Sequence, residues 1–143
     1  MELLIIDGQG GGIGRGLVER LRARFGSGLR IIAVGTNALA TSAMLRAGAD
    51  VGATGENAIC YNCARAGLIA GPIGLVIANS MFGELTPAMA RAVGESPAQR
   101  ILIPVSRCRT WVAGVQELPS ARYLDDAVER IARCFAQEES TAQ

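Results

Sequence analysis

Lysine and histidine are both absent from this 143-residue sequence, and all fourteen of its basic residues are arginine. Without lysine, the sequence has neither a P-loop lysine nor a lysine that could form a Schiff base. Without histidine, it has no imidazole to act as a general base. Any chemistry is therefore left to carboxylates, cysteines, hydroxyl groups, tyrosines, arginines or a bound metal.

Charge and long apolar runs are also scarce. Only 19% of the residues are charged and the formal net charge is +1, which gives no electrostatic reason to expect nucleic acid or an anionic membrane as a partner. The longest apolar stretch, residues 66–78, contains three glycines and a proline and is too short to span a membrane. The opening residues lack the pattern of a signal peptide. We therefore expect a cytoplasmic protein whose four cysteines are thiols.

Half of the residues are hydrophobic, and the length suits one domain with a sizeable core. We assign residues 1–136 to this domain and expect the polar tail, residues 137–143, to be disordered. So apolar a chain is expected to hide part of its surface in a homo-oligomer, with residues 66–78 as the candidate contact. A buried parallel sheet is the alternative explanation for the same composition.

Apolar runs bounded by glycines alternate with helical patterns along the chain. Residues 3–6 form a continuous apolar run, and Ile13, Leu17, Leu21 and Phe25 then recur at helical spacing until Gly26. Further strands are predicted at 31–34, 50–51, 75–78, 101–105 and 111–115, and further helices at 38–46, from 54 to about 66, from Thr86-Pro87 and from Pro119-Ser120. This alternation predicts a Rossmann-like, doubly wound α/β domain with a mainly parallel sheet of five to six strands.

The segment between the first strand and the first helix is rich in glycine. It reads Asp7, Gly8, Gln9, Gly10, Gly11, Gly12, Ile13, Gly14. Glycines allow positive φ angles and close approach of the backbone to a ligand, and the helix that follows offers free N–H groups and a positive dipole end. The loop therefore predicts a small phosphate-bearing ligand, most simply a nucleotide or dinucleotide. A compact turn whose glycines serve packing alone is the alternative.

Gly8, Gly12 and Gly14 give the spacing G-x-x-x-G-x-G, which is similar to the glycine motif of short-chain dehydrogenases. The likeness fails at the end of the second strand, where Thr36 and Asn37 stand in place of the acid that would hold an NAD ribose. No arginine stands there for a 2′-phosphate, and the catalytic lysine of those enzymes is missing. We interpret the similarity as a shared phosphate loop without dehydrogenase chemistry.

A second resemblance covers nearly the whole chain. Its motifs are DGQGGGIG at 7–14, GTNALAT at 35–41, GATGENAI at 52–59, GPIG at 71–74, ANSM at 78–81 and GELTP at 83–87. Together they resemble a family of small bacterial proteins that share a domain of unknown function. The resemblance implies no activity, cofactor or partner.

The same motifs supply the remaining candidate site residues, because most of them follow predicted strands. In a parallel sheet the carboxyl ends of the strands share one edge, where ligands bind. We therefore expect polar loops to converge there, although such residues also serve as helix caps. The candidates outside the glycine loop are Gly35, Thr36, Asn37, Thr54, Glu56, Asn57, Asn79, Ser80 and Glu84.

The candidate site residues include three acids, Asp7, Glu56 and Glu84. Asp7 would repel a phosphate, so either its carboxylate turns back to accept N–H groups of the loop, or a Mg²⁺ ion or a ribose hydroxyl lies between. Glu56 and Glu84 are typical of acids near helix N-termini, with catalysis as the alternative.

The cysteines include one pair at redox spacing, Cys60 and Cys63, but no second C-x-x-C and no histidine completes a metal set, so we predict no metal site. The pair falls within a predicted helix, and Cys108 and Cys134 are isolated. We interpret all four as small apolar residues.

Two functions from different classes remain. One is a nucleotide- or phosphate-binding module, a sensor or scaffold without chemistry. The other is a small enzyme that acts on a phosphorylated or nucleotide substrate, with Asp7, Asn79 and Glu84 facing the ligand. A thiol redox protein is a distant third.

Overall fold

A computed structural model describes residues 1–105 and 109–143 as one α/β domain, so Cys108 lies outside the described residues. The strands are β1 (Leu3–Asp7), β2 (Ile31–Gly35), β3 (Val51–Thr54), β4 (Leu68–Pro72) and β5 (Gln99–Ile103). The α-helices are α1 (Gly12–Phe25), α2 (Ala38–Ala47), α3 (Glu56–Cys63), α4 (Pro87–Glu95) and α5 (Ser120–Thr141), and a short 3-10 helix spans Ile73–Val76. None of the described helices is both long and apolar enough to cross a membrane.

The five strands form one parallel sheet in the order β3-β2-β1-β4-β5. Leu3 of β1 pairs with Ile31 of β2 on one side and with Leu68 of β4 on the other. The chain therefore adds β2 and β3 on one side of β1 and afterwards adds β4 and β5 on the other side. This is the Rossmann-like arrangement that the alternating pattern predicts, and the order of strands changes direction beside β1.

Both faces of the sheet are covered by helices. Leu3 and Ile5 belong to a core cluster with residues of α1, α2 and α5, whereas Leu4 and Ile6 belong to a second cluster with residues of α3 and α4. All five residues of β1 are buried, as a central parallel strand requires. The carboxyl ends of β1 and β2 therefore lie side by side at one edge of a sheet that is packed on both faces.

The prediction of a strand at residues 75–78 is wrong, because β4 lies at Leu68–Pro72. Two apolar segments flank Gly71-Pro72. Because glycine and proline are typical of turns, the sequence pattern does not show that β4 ends at these two residues. A Cβ at Gly71 would lie 2.3 Å from the carbonyl oxygen of Ile6, so the close approach of β1 requires glycine there. Since β4 is buried throughout, the sheet itself accounts for much of the apolar stretch at residues 66–78.

Other boundaries also differ from the sequence prediction. Strand β3 begins one residue and ends three residues after the predicted segment, and β5 begins and ends two residues before its predicted segment. The sixth strand predicted at residues 111–115 does not form; these residues are irregular or in a turn. Helix α5 continues to Thr141 and includes most of the tail for which the composition predicts disorder.

Candidate functional site

The loops after β1 and β2 meet a third segment, residues 77–86, at the carboxyl edge of the sheet. The loop after β1 turns tightly, because the amide of Gly11 donates to the carbonyl of Gly8 over 2.9 Å. Gly11 then caps α1 with a φ of 72°, in the left-handed region that favours glycine. The glycine loop, residues 8–12, therefore ends directly at a helix N-terminus.

Three of the glycines in this region are explained by packing. A Cβ at Gly8 would lie 2.5 Å from the sulfur of Met81, and one at Gly11 would lie 2.8 Å from the backbone of Ala40. A Cβ at Gly14 would lie 2.4 Å from the sulfur of Met44. All three glycines are buried, so they let neighbouring segments approach the loop closely.

Gly10 and Gly12 are different. Both are exposed, neither has a φ in the left-handed region, and a Cβ at either position would meet nothing within 4 Å. Among the described residues, none accepts a hydrogen bond from the N–H group of Gly10 or Gly12. Neither packing nor backbone conformation accounts for glycine at these two positions.

Asp7 turns back into the loop, which is the first of the two arrangements predicted for it. One carboxylate oxygen accepts from the N–H of Gly8 over 2.8 Å and the other from the N–H of Gly14 over 2.7 Å. Burial raises the pKa of Asp7 above its ordinary value, against the backbone hydrogen bonds, which lower it; the charge of Glu84 adds to the rise. The carboxylate therefore serves the turn and is not directed at solvent.

Glu84 links the three loops through a single carboxylate oxygen. Its Oε1 accepts from the amide of Gln9 over 3.0 Å, from Oγ1 of Thr36 over 2.7 Å and from Nδ2 of Asn37 over 2.6 Å. These donors lower the pKa of Glu84, against a desolvation effect that raises it. No described residue donates a hydrogen bond to Oε2. Glu84 thus presents one free carboxylate oxygen at the end of β2.

The segment that carries Glu84 has an unusual backbone. Asn79, Met81 and Phe82 have φ angles of 64°, 57° and 55°, although they are not glycines. Met81 is buried against the glycine loop, whereas the side chain of Phe82 is 101% exposed. Left-handed residues of this kind are strained and concentrate at functional sites.

The other predicted site residues lie farther from this cluster. The hydroxyl of Thr41 accepts from the amide of Gly35 and lies 2.7 Å from the hydroxyl of Thr54, which joins the ends of β2 and β3. Glu56, in the first turn of α3, accepts from the hydroxyl of Thr86 over 2.5 Å. Asn57 is exposed on α3.

Thr86 caps α4, as predicted, but Asn79 and Ser80 do not follow a strand. Ser80 is buried and donates to the carbonyl of Gly74 over 2.6 Å, so it holds the 3-10 helix to the next turn. Ile13, in the first turn of α1, is partly buried against the core. The structure therefore brings together residues 7–14, Thr36, Asn37 and Glu84 more closely than the rest.

Two arginines near the glycine loop were missed by the sequence analysis. Arg15 and Arg46 line a groove of about 400 Å³ between α1 and α2, together with Gly10 and the exposed Leu39. Arg15 lies 3.7 Å from Glu19, and Arg46 donates to Ser42. The sequence patterns give these two arginines no role, because only the packing of α1 against α2 places them beside Gly10.

A larger cavity, about 920 Å³, lies elsewhere, between β5 and α5. Its walls carry both signs of charge, and its acids Asp125, Asp126 and Glu129 already form ion pairs with arginines. None of the predicted site residues lines it.

The cysteine pair lies within α3, as predicted. Cys63 is only 1% exposed, and burial raises its pKa to about 11, with a smaller contribution from Cys60. A thiol with so high a pKa is a poor nucleophile at neutral pH. Cys63 itself is therefore unsuited to act as a nucleophile.

Comparison with known proteins gives a family and no activity. A family model described as a domain of unknown function, DUF3842, matches residues 2–136. The chain belongs to this family. The match confirms the resemblance that the motifs indicate across most of the sequence. Neither the curated proteins nor the solved structures contain a match to the chain.

Proposed function

We propose that this member of the DUF3842 family binds a phosphate-bearing small molecule, most simply a nucleotide, at the glycine loop. The observation that carries the proposal is the pair Gly10 and Gly12. Their exposed backbone, open Cβ space and unpaired N–H groups have no role in the fold, yet they suit contact between the backbone and a phosphate.

Charge around the loop supports the same proposal. The carboxylate of Asp7 is directed inward at Gly8 and Gly14, so it does not cover the outer face of the loop. Arg15 and Arg46 flank the groove that Gly10 lines, and Glu19, which lies 3.7 Å from Arg15, lines it as well. Guanidinium groups are suited to phosphate oxygens, and Arg46, which pairs with no acid among the described residues, supplies a positive charge that the loop itself lacks.

The contacts of Asp7, Asn79 and Glu84 favour a binding role over catalysis. Asp7 is engaged by the turn, and Asn79 lies in the strained segment, where its main-chain N–H donates to the carbonyl of Leu85. Of the three residues that the enzyme hypothesis requires, Glu84 alone presents a free carboxylate oxygen. We therefore propose a sensor or scaffold that binds its ligand without converting it.

The test is a thermal-shift screen of NAD, NADP, ATP, GTP, coenzyme A and sugar phosphates against wild type and Gly12→Asp. Gly12 is the first residue of α1, where an aspartate favours the helix dipole, so the variant should fold normally. A ligand at about a hundred times its Kd adds roughly 2.7 kcal/mol to the free energy of unfolding. At least one compound should raise the Tm of wild type by several degrees and leave Gly12→Asp unchanged.

Gly94→Asp is the matched control. Gly94 also has open Cβ space and lies in a helix, α4, outside the glycine loop. This variant should respond to the ligand as wild type does. An equal response of Gly12→Asp, or no stabilising compound at all, would refute the proposal.

A further inference from the structure

We infer that Glu84 is the residue that recognises the ribose of a nucleotide, by accepting hydrogen bonds from its 2′- and 3′-hydroxyls through the free oxygen Oε2. The inference rests on the proposed function, which places the phosphates of the same nucleotide at Gly10 and Gly12. It assigns a ligand class, nucleotides with an intact ribose diol, in preference to their deoxy counterparts.

The position of Glu84 supports this role. Rossmann-like domains hold a ribose with an acid at the end of the second strand, and here that position is occupied by Thr36 and Asn37. Both side chains donate to Glu84, which brings a carboxylate to the end of β2 from a distant part of the chain. The acid that is missing from the local sequence is supplied by the tertiary structure.

The two carboxylate oxygens of Glu84 also differ in their hydrogen bonding. Oε1 is saturated by three donors, which fix the orientation of the carboxylate. Oε2 has no partner among the described residues, and the side chain is partly exposed. An ionised carboxylate oxygen repels a phosphate and accepts from a hydroxyl, so its partner in a ligand is an alcohol group.

Glu84 lies beside the glycine loop. The amide of Gln9 lies 3.0 Å from Oε1 of Glu84, and Gly10 is the next residue. A hydroxyl acceptor and a phosphate site thus lie side by side on the same loop. In a nucleotide, the ribose diol and the 5′-phosphate are likewise close together, because one sugar ring carries both.

The experiment measures, by calorimetry, the affinities of ADP and GDP and of their 2′,3′-dideoxy counterparts for wild type and Glu84→Gln. The glutamine can keep a carbonyl oxygen for the three donors, but its NH₂ group cannot accept from a hydroxyl. Hydrogen bonds to a charged group justify an expected ribose preference of about tenfold to a hundredfold in wild type. Glu84→Gln should retain the dideoxy affinity and lose most of that preference.

Thr36→Val provides a second variant if Glu84→Gln fails to fold. It removes one of the donors that orient the carboxylate and should reduce the ribose preference partway. Equal binding of ribose and dideoxy nucleotides by wild type, or a preference that survives in Glu84→Gln, would overturn the assignment while the proposed function stands. Failure of wild type to bind either form would overturn the assignment of Glu84 as well, and the proposed function would then be decided by the thermal-shift screen.

Discussion

Oδ2 of Asp7 lies 2.7 Å from the amide nitrogen of Gly14, so the last residue of β1 closes the turn that leads into α1. The other oxygen accepts from Gly8, and the residue is only 4% exposed. This carboxylate satisfies one N–H group of the loop and one that the helix N-terminus would otherwise leave unpaired. Its place in the fold is therefore structural, whatever ligand the outer face of the loop binds.

Asp7→Asn should destabilise the protein. An asparagine has one acceptor oxygen where the carboxylate has two, so the N–H of Gly8 or of Gly14 is left buried without a partner. We expect the free energy of unfolding to fall by about 1–3 kcal/mol in urea titrations. Asp125→Asn, at an exposed ion pair with Arg20, is the control and should cost less than about 1 kcal/mol. A loss for Asp7→Asn no larger than that of the control would contradict the structural role.

Phe82→Asn should stabilise the protein. The ring is fully exposed, so the change removes no packing, and the φ of 55° is one that asparagine tolerates better than phenylalanine. We expect the free energy of unfolding to rise by up to about 1 kcal/mol and the Tm to rise by a few degrees. Phe82→Ala removes the ring but not the strain and should leave the Tm almost unchanged. If the two variants have the same Tm, the strain does not limit stability.

Cys63 should remain a neutral thiol well above neutral pH. Its pKa is raised to about 11, so ionisation should be almost absent between pH 7.5 and 9.5, where ordinary thiols titrate. The measurement is the thiolate absorbance at 240 nm of a variant that keeps Cys63 alone, minus that of a cysteine-free variant. Circular dichroism at each pH establishes that both are folded. A midpoint near the ordinary thiol value of about 8.5 would restore the redox interpretation.

Local sequence patterns predict the elements beside the site well. The apolar runs that form β1 and β2 end at glycines, and the helix from Ile13 to Phe25 has a regular apolar face, so their boundaries follow from periodicity. Strand β4 was misplaced because Gly71 and Pro72 resemble a turn. Glycine is needed at position 71 because Ile6 of β1 approaches it closely. Ile6 is far away in sequence, so this contact leaves no local pattern.

The candidate site is predicted only in part for the same reason. The glycine loop is visible in the sequence because its residues are contiguous. The groups that meet it are not: Glu84 contacts Thr36 and Asn37 only after the sheet has formed. Likewise, Arg15 and Arg46 come together across α1 and α2, so their meeting is a property of helix packing.

The central position of β1 has a consequence for the chain as it is synthesised. Leu3 pairs with Ile31 on one side and with Leu68 on the other, so the first neighbour leaves the ribosome long before the second. Until β4 follows, a nascent sheet of β3, β2 and β1 exposes one edge of its most apolar strand. Unprotected edges of this kind invite pairing with other chains, and parallel partners distant in sequence form slowly. The vulnerable period in the life of this protein is therefore the interval during translation between the emergence of β3 and that of β4.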